Sequence, residues 1–147
     1  MGCTNSSGDN VKPTRKHHQG ATQAIKKKYK IETRVLGSGA FGKVFLATSV
    51  KDKDFKVAIK VIGKKKIEDD IDQLLDEINI LRNLDHPNII KYYETYENSK
   101  YMYIVMEYCP GGELFDVIAK KANDMEGSFN ESEAAEIMTK LLKAINH

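Results

Sequence analysis

The feature that most constrains this chain is the segment GSGAFGKV, in which Gly37, Gly39 and Gly42 follow the spacing G-x-G-x-x-G. Glycine has no Cβ, so a loop with this spacing lets its backbone approach a phosphate group closely. The alternation of apolar and polar residues over 29–37 predicts a strand before the glycines, and residues 42–48 predict a second strand directly after them. The glycines are therefore expected at the end of a β-hairpin.

Three kinds of nucleotide-binding loop share this spacing, and the flanking segments separate them. A dinucleotide-binding turn and a Walker phosphate loop both lead into a helix, whose amino terminus holds the phosphates. The segment after Gly42 is rich in β-forming residues, and Val44 stands where a Walker loop requires a Ser or Thr hydroxyl for Mg²⁺. A hairpin loop that closes over nucleotide phosphates fits both observations. The alternative that the loop alone leaves open is a turn without a function.

A lysine on the next predicted strand supports the phosphate-binding interpretation. Residues 55–62, FKVAIKVI, predict a third strand that carries Lys60, and residues 64–84 predict a helix with apolar positions at helical spacing. On this helix Glu77 lies at the border of the apolar stripe, where it can point toward the sheet, whereas Asp76 lies nearly opposite the stripe. Glu77 is therefore predicted to pair with Lys60. The alternative for either residue is a solvated surface position.

The remaining sequence predicts two more strands followed by two helices. The strands are expected at residues 89–97 and 100–108, and the first helix at residues 113–122. The last helix is expected to start near Asn130, which forms a capping-box pattern with Glu133. The sequence contains no calcium-loop spacing, no cluster of residues with metal-ligand spacing, and no apolar run long enough to span a bilayer.

Together these motifs resemble a eukaryotic protein kinase from Tyr29 to His147. The stretches GGELFD and HPNIIKYYETYEN look most like the calmodulin-dependent group, especially the calcium-dependent protein kinases. The resemblance implies an α+β fold, namely a kinase amino-terminal lobe, with a five-stranded antiparallel sheet and helix C, followed by the first helices of the carboxy-terminal lobe. Residues 1–28 are then a basic, acylated arm that we expect to be disordered. Residues 29–109 are the amino-terminal lobe and hinge, and residues 110–147 are the incomplete start of the second lobe, with helices D and E.

The resemblance also implies an ATP site. Lys60 matches the lysine that contacts the α- and β-phosphates in this family, and Met106 matches the gatekeeper residue before the hinge. Glu107 and Cys109 lie where hinge backbone groups bind adenine, and Glu113 matches the acid that contacts ribose or a basic substrate residue. The implied catalytic pair is Lys60 and Glu77. The implied nucleotide-binding residues are Leu36, Gly37, Ser38, Gly39, Ala40, Phe41, Gly42, Lys43, Val44, Ala58, Lys60, Met106, Glu107, Cys109 and Glu113.

The sequence departs from the family pattern because it stops before the catalytic loop. Neither H-R-D-x-x-x-x-N nor D-F-G occurs in the 147 residues, and these motifs hold the catalytic base and the Mg²⁺ ligands. We therefore expect part of an ATP-dependent Ser/Thr kinase of protein substrates, inactive by itself, whose Mg²⁺ ligands and any Ca²⁺-sensing region lie downstream. The apolar residues of the last helix are expected to lack packing partners. The alternative function is a lipid-anchored, non-catalytic nucleotide-binding or interaction module.

The first thirty residues predict attachment to a membrane. The chain begins Met-Gly-Cys-Thr-Asn-Ser, which matches the pattern for myristoylation of Gly2 and places Cys3 for palmitoylation. Residues 1–30 carry seven Lys or Arg and one acid, a balance of +6, whereas the remainder has a balance of −4. The basic charge that can attract anionic lipid is therefore concentrated in the arm. We expect the protein at the cytoplasmic face of a membrane or in the cytoplasm. Nucleic-acid binding is not expected, because no aromatic residue for base stacking alternates with these charges before Tyr29 at the end of the arm.

Overall fold

The fold consists of five strands and four α-helices, seen in a computed structural model that describes residues 20–39, 42–67, 70–123, 127 and 129–147. In chain order the elements are α1 (Gly20–Lys28), β1 (Tyr29–Gly39), β2 (Gly42–Ser49), β3 (Lys56–Gly63), α2 (Ile71–Asn83), β4 (Tyr92–Glu97), β5 (Tyr101–Glu107), α3 (Leu114–Asn123) and α4 (Glu131–Ile145). A short 3-10 turn, Lys64–Lys66, follows β3. The helix predicted over residues 64–84 is therefore shorter than the sequence pattern suggests.

The strands form one antiparallel sheet in the order β1-β2-β3-β5-β4. This arrangement confirms the predicted five-stranded sheet. β4 begins at Tyr92, three residues later than predicted, because the preceding segment forms a turn in which the Ile89 N–H donates to the His86 carbonyl at 3.1 Å. The other strand boundaries agree with the prediction to within two residues.

Helix α2 covers one face of the sheet, which we call the front face. It packs through Leu74 and Ile78, which are buried against β3 and β5. These contacts follow from the 3.6-residue spacing of the apolar residues on α2. The front cluster of buried residues is Ile62, Ile67, Leu74, Ile78, Met102 and Ile104.

Helix α1 packs on the opposite face, the back face, where it contacts β1 and β4. Its Ile25 is only 1% exposed. The back cluster of buried residues is Ile25, Tyr29, Ala47, Val57, Ile59 and Val105. Residues 20–28, the end of the segment for which the sequence predicts a disordered arm, thus form a helix that packs on the sheet through Ile25. The physical reason is that β2, β3 and β5 present a second apolar surface, and α1 removes it from water. Gly2 and Cys3 lie outside the described residues.

Helices α3 and α4 follow the sheet as predicted, and the predicted capping box is present. The Glu133 N–H donates to Asn130 Oδ1 at 2.9 Å, and the Asn130 N–H donates to Glu133 Oε2 at 3.0 Å. Neither helix contains a buried residue, and Ile145 is 81% exposed, as expected for helices that lack packing partners. Of the helices in the described part of the chain, none has the length and apolarity needed to cross a membrane.

Candidate nucleotide-binding site

The glycine segment lies at the end of the β1–β2 hairpin, as the sequence predicts. β1 ends at Gly39, β2 begins at Gly42, and these two residues are paired across the hairpin. Because a strand rather than a helix follows Gly42, the geometry of a dinucleotide-binding turn or a Walker loop is excluded. Ala40 and Phe41, between the two strands, lie outside the described residues.

The glycines of this segment have different structural requirements. Gly42 has a φ of 155°, and a Cβ at this position would overlap the carbonyl oxygen of Val61 on the neighbouring strand. The fold itself therefore requires glycine at position 42. By contrast, a Cβ added at Gly37 or Gly39 would meet no atom of the described residues within 4 Å. The backbone at these two positions is open to the approach of another group, as a phosphate-binding loop requires.

The strand register gathers the predicted nucleotide contacts on the front face. Val44 pairs with Lys60, and Lys60 pairs in turn with Ile104 on β5. Two residues earlier on β3, Ala58 pairs with Met106. Paired residues and residues two positions apart in a strand share a face, so Val44, Ala58, Lys60 and Met106 all lie on the front face. Ala58 is buried and the other three are half-buried. The structure thus brings together the apolar residues and the lysine that the resemblance assigns to ATP.

The remaining predicted contacts are accessible in the structure. Leu36 is half-buried near the end of β1, and Ser38 and Lys43 are exposed on the two strands of the hairpin. Beyond β5, Cys109 is a free and exposed cysteine, and Glu113 is also exposed. None of these side chains is sequestered in the core, so each stays available for the role predicted for it.

The predicted hinge residue Glu107 is held to the segment before β4 by two hydrogen bonds. Its N–H donates to the Lys91 carbonyl at 2.8 Å, and its carboxylate accepts from the Lys91 N–H at 3.1 Å. The Glu107 N–H is therefore already used within the protein. These bonds restrain the end of β5, where the predicted hinge begins.

The structure does not bring Lys60 and Glu77 together. Glu77 is exposed, and no ion pair among the described residues joins it to Lys60. The inward orientation predicted for Glu77 is not observed, because α2 is oriented by the burial of Leu74 and Ile78, and an unpaired carboxylate is more stable in water than against the sheet. The pairing of Glu77 with Lys60 stays a prediction.

A polar cluster on the back face joins α1 to β4. The carboxylate of Glu94 accepts hydrogen bonds from Lys28 Nζ at 2.7 Å, Tyr29 Oη at 2.8 Å and Tyr96 Oη at 2.7 Å. Burial alone would raise the pKa of Glu94, but these three bonds outweigh it and hold the pKa below the ordinary value of 4.5. The bond to Glu94 raises the pKa of Lys28. Burial and then the bond to Glu94 raise the pKa of Tyr29 and Tyr96.

No sequence motif predicts this cluster. A glutamate within the tyrosine-rich strand YYETYE matches no motif, and its partners Lys28 and Tyr29 are more than sixty residues away in the chain. The segment GATQAIKKK does give a local signal for a helix, because it has no proline and carries the apolar Ile25 among residues that favour helices. This signal predicts a short helix, but not the face of the sheet that it covers.

Three comparisons relate this geometry to known proteins. The family profile described as "protein kinase domain" matches residues 29–147. Calcium/calmodulin-dependent protein kinase type 1 of Macrobrachium nipponense is 40% identical over 129 residues, which are 88% of this chain and 36% of that protein. Calcium-dependent protein kinase 5 of Plasmodium falciparum (isolate 3D7) is 46% identical over 117 residues, which are 80% of this chain and 19% of that protein.

The structural comparison agrees with the sequence comparisons. The crystal structure of Rad53 1–466 in complex with AMP-PNP matches with a TM-score of 0.69 and 33% sequence identity, over 83% of this chain and 30% of that chain. The present chain therefore spans only between 19% and 36% of the length of these curated relatives and of the Rad53 chain.

Proposed function

This chain belongs to the protein kinase family, and on that premise we propose that it is the ATP-binding amino-terminal part of a calcium-regulated serine/threonine protein kinase. The observation that carries the proposal is the common position of Val44, Ala58, Lys60 and Met106 on the front face, beside the glycine hairpin. Relatives named as calcium/calmodulin-dependent and calcium-dependent kinases support the calcium-regulated class.

The front face provides two kinds of interaction that suit ATP. Its apolar residues Val44 and Ala58, together with Leu36 near the end of β1, would offer a surface for the adenine ring. The ammonium of Lys60 offers a positive charge for the α- and β-phosphates, while the open backbone at Gly37 and Gly39 leaves space for the phosphates. Phosphoryl transfer depends chiefly on positioning and on electrostatic stabilisation. These residues would therefore bind and orient the nucleotide.

Protein kinases use Mg²⁺ to neutralise charge on the β- and γ-phosphates. Within the described residues, no group of three or more His, Cys, Asp or Glu side chains is placed to hold a metal ion. We place the Mg²⁺ ligands and the catalytic base outside these 147 residues, where the H-R-D and D-F-G motifs of the family would supply them.

Glu77 would act as a positioning residue for Lys60 in the competent kinase. The family requires the ion pair between these positions for phosphoryl transfer, and no ion pair among the described residues joins Lys60 to Glu77. We propose that α2 must shift so that the Glu77 carboxylate approaches the Lys60 ammonium before phosphoryl transfer can occur.

Acylation of Gly2 and Cys3, with basic residues contacting anionic lipid, would hold the kinase at the cytoplasmic face of a membrane.

A lipid-anchored, non-catalytic nucleotide-binding module is the second candidate. The absence of a Lys60–Glu77 ion pair within the described part of the chain favours it, since a module that only binds nucleotide does not need the catalytic pair. A phosphotransfer assay on a Ser/Thr peptide tests two separate expectations, namely that the 147-residue chain is inactive and that a longer form is active. The 147-residue chain should bind ATP without transferring phosphate, whereas transfer by this chain would contradict our placement of the catalytic base elsewhere. A longer form with the downstream motifs should transfer phosphate, and its failure would favour the non-catalytic module.

The experiment that tests the ATP site is a binding titration of the Lys60→Met variant. We expect weak ATP binding by the parent chain, and its loss in this variant because the cation that faces the phosphates is removed. Lys56→Met is the matched control, since Lys56 lies on the same strand and is exposed at its start. Unchanged ATP affinity in Lys60→Met, or an equal loss in both variants, would refute the role given to Lys60.

A further inference from the structure

The carboxy-terminal end of α1 is strongly basic. The helix GATQAIKKK contains no acidic residue and ends in Lys26, Lys27 and Lys28. Lys30 follows on β1, and all four lysine side chains are exposed. Because α1 is packed on the back face through Ile25, these charges have a defined position on a folded surface.

The four lysines divide into two groups. Lys28 is engaged with the fold, because its ammonium lies 2.7 Å from the Glu94 carboxylate. Lys26, Lys27 and Lys30 take part in no ion pair among the described residues. No acidic residue of the described part of the chain therefore neutralises the charge of these three lysines.

An apolar groove lies beside these unpaired charges. Lys26 and Lys30 line an open groove of about 420 Å³ together with Tyr29, Ile31 and Val50. Val50 is 54% exposed, and its N–H donates to the Lys28 carbonyl at 2.8 Å. This bond fixes the β2–β3 turn against the end of α1. An exposed apolar side chain and two cationic side chains are thus held on one surface.

We propose that Lys26, Lys27, Lys30 and Val50, which we call the α1 surface, form a docking site for an anionic bilayer. The lysines would attract the anionic lipid headgroups. The apolar side chain of Val50 and the groove beside it would lie at the boundary between headgroups and acyl chains. The surface is also continuous in sequence with the basic residues Lys12, Arg15 and Lys16. The inference rests on the lipid anchoring in the proposed function. It names the residues of the folded domain that would contact the membrane in addition to the acylated arm.

The geometry gives this contact an orienting role. The α1 surface lies where β1 begins and β2 ends, since Lys30 pairs with Thr48, whereas the glycine hairpin lies at the other end of the same two strands. Lys30 and Ser38 lie at opposite ends of β1, about 25 Å apart at the rise of an extended strand. A bilayer that contacts the α1 surface would therefore leave the glycine hairpin directed away from the lipid and open to ATP and substrate.

Vesicle co-sedimentation of the unacylated 147-residue chain tests the docking site without the lipid anchor. The probes are phosphatidylcholine vesicles with and without phosphatidylserine. We expect binding to the anionic vesicles only, and a loss of about tenfold or more in the triple variant Lys26→Glu, Lys27→Glu, Lys30→Glu. The matched control, which produces the same change in net charge at exposed lysines elsewhere, is Lys65→Glu, Lys66→Glu, Lys100→Glu.

The control should retain most of the binding, and Lys28→Gln should bind vesicles like the parent chain. Equal losses in the two triple variants would overturn the proposal, because net charge alone would then explain binding. Failure of the parent chain to bind anionic vesicles would also overturn it, as would tighter binding to a single-stranded RNA with the same dependence on Lys26, Lys27 and Lys30. ATP binding and the Lys60→Met result are measured separately, so a failure here is distinguishable from a failure of the kinase assignment.

Quenching by brominated lipid tests the orientation. In a chain with Cys3 and Cys109 replaced by Ser, a fluorophore is attached at Val50→Cys or at Ser38→Cys. We expect quenching of the label at position 50 and none at position 38 when anionic vesicles are bound. Quenching at position 38 with none at position 50 would contradict the orientation and the docking site.

Discussion

Lys28, the last residue of α1, places its Nζ 2.7 Å from the carboxylate of Glu94 on β4. The bond joins a helix that precedes the family match at residue 29 to the edge strand of the sheet. A second bond, from Asn98 Nδ2 to Thr22 Oγ1 at 2.7 Å, ties the start of the same helix to the end of β4. The folded unit of this chain therefore begins before the residues that define the kinase domain in sequence.

Truncation of Ile25 to Ala should destabilise the chain by about 2–4 kcal/mol, because it removes a fully buried side chain from the back cluster. Urea unfolding measures the effect. Ile80→Ala is the matched control, since Ile80 is 61% exposed on α2 and its truncation should change stability by about 0.5 kcal/mol or less. Equal effects of the two substitutions would mean that α1 does not pack on the sheet in solution.

Glu94→Gln should lower stability at neutral pH by about 1 kcal/mol or more, because the amide removes the charge that strengthens the bonds from Lys28, Tyr29 and Tyr96. The pKa of Glu94 is lowered in the fold, so its stabilisation is present above the ordinary value of 4.5 and is lost as the pH falls through the folded value. The difference between the parent chain and Glu94→Gln should therefore shrink in acid. Urea titrations from neutral pH to about pH 3 measure it. A difference that stays constant over this range would be inconsistent with the role given to the carboxylate.

The same cluster should also make the stability of the fold decrease at alkaline pH. The pKa values of Lys28 and Tyr29 are raised in the fold, so their contributions are complete below their ordinary values of 10.5 and 10.0 and disappear as the pH rises above them. The stability difference between the parent chain and Tyr29→Phe should therefore be constant near neutral pH and decrease in strong alkali. Spectrophotometric titration of the tyrosines gives an independent measure. Ionisation of Tyr29 at its ordinary pKa would contradict its burial and its hydrogen bond to Glu94.

The glycines of the hairpin should respond differently to alanine. Gly42→Ala should destabilise the chain by about 2 kcal/mol or more, because its Cβ overlaps the Val61 carbonyl and its φ is positive. Gly39→Ala should leave stability within about 1 kcal/mol, since no atom of the residues that the structure describes lies within 4 Å of the added Cβ. Thermal unfolding measures both, and ATP titration of Gly39→Ala then reports on phosphate binding alone. A larger loss of stability at position 39 than at position 42 would refute this assignment.

The capping box of α4 should stabilise the first turn of the helix locally, independently of tertiary packing. Asn130→Ala removes the acceptor for the Glu133 N–H and should weaken the start of α4 by about 1 kcal/mol. Hydrogen exchange of the first turn measures this local stability, and Ser132→Ala, at an exposed neighbouring position, is the control. Unchanged protection in Asn130→Ala would show that the cap does not stabilise the helix.

The sequence by itself determined the features that depend on local periodicity. The alternation around the glycines predicts the β1–β2 hairpin, and the spacing of Leu74 and Ile78 predicts the buried side of α2. The Asn130–Glu133 pattern predicts a cap that forms within one turn. Each of these features involves residues that are close in the chain, so steric and hydrogen-bonding preferences of the individual residues are sufficient to specify them.

Only the tertiary structure decided how distant segments share surfaces and charges. It placed α1 on the back face, assigned Lys28 to Glu94, and left Glu77 in solvent although its helical position allowed it to face Lys60. The reason is that burial of apolar area orients each helix as a whole. A charged side chain then either pairs with a residue of a distant segment, as Lys28 does with Glu94, or stays hydrated, as Glu77 does.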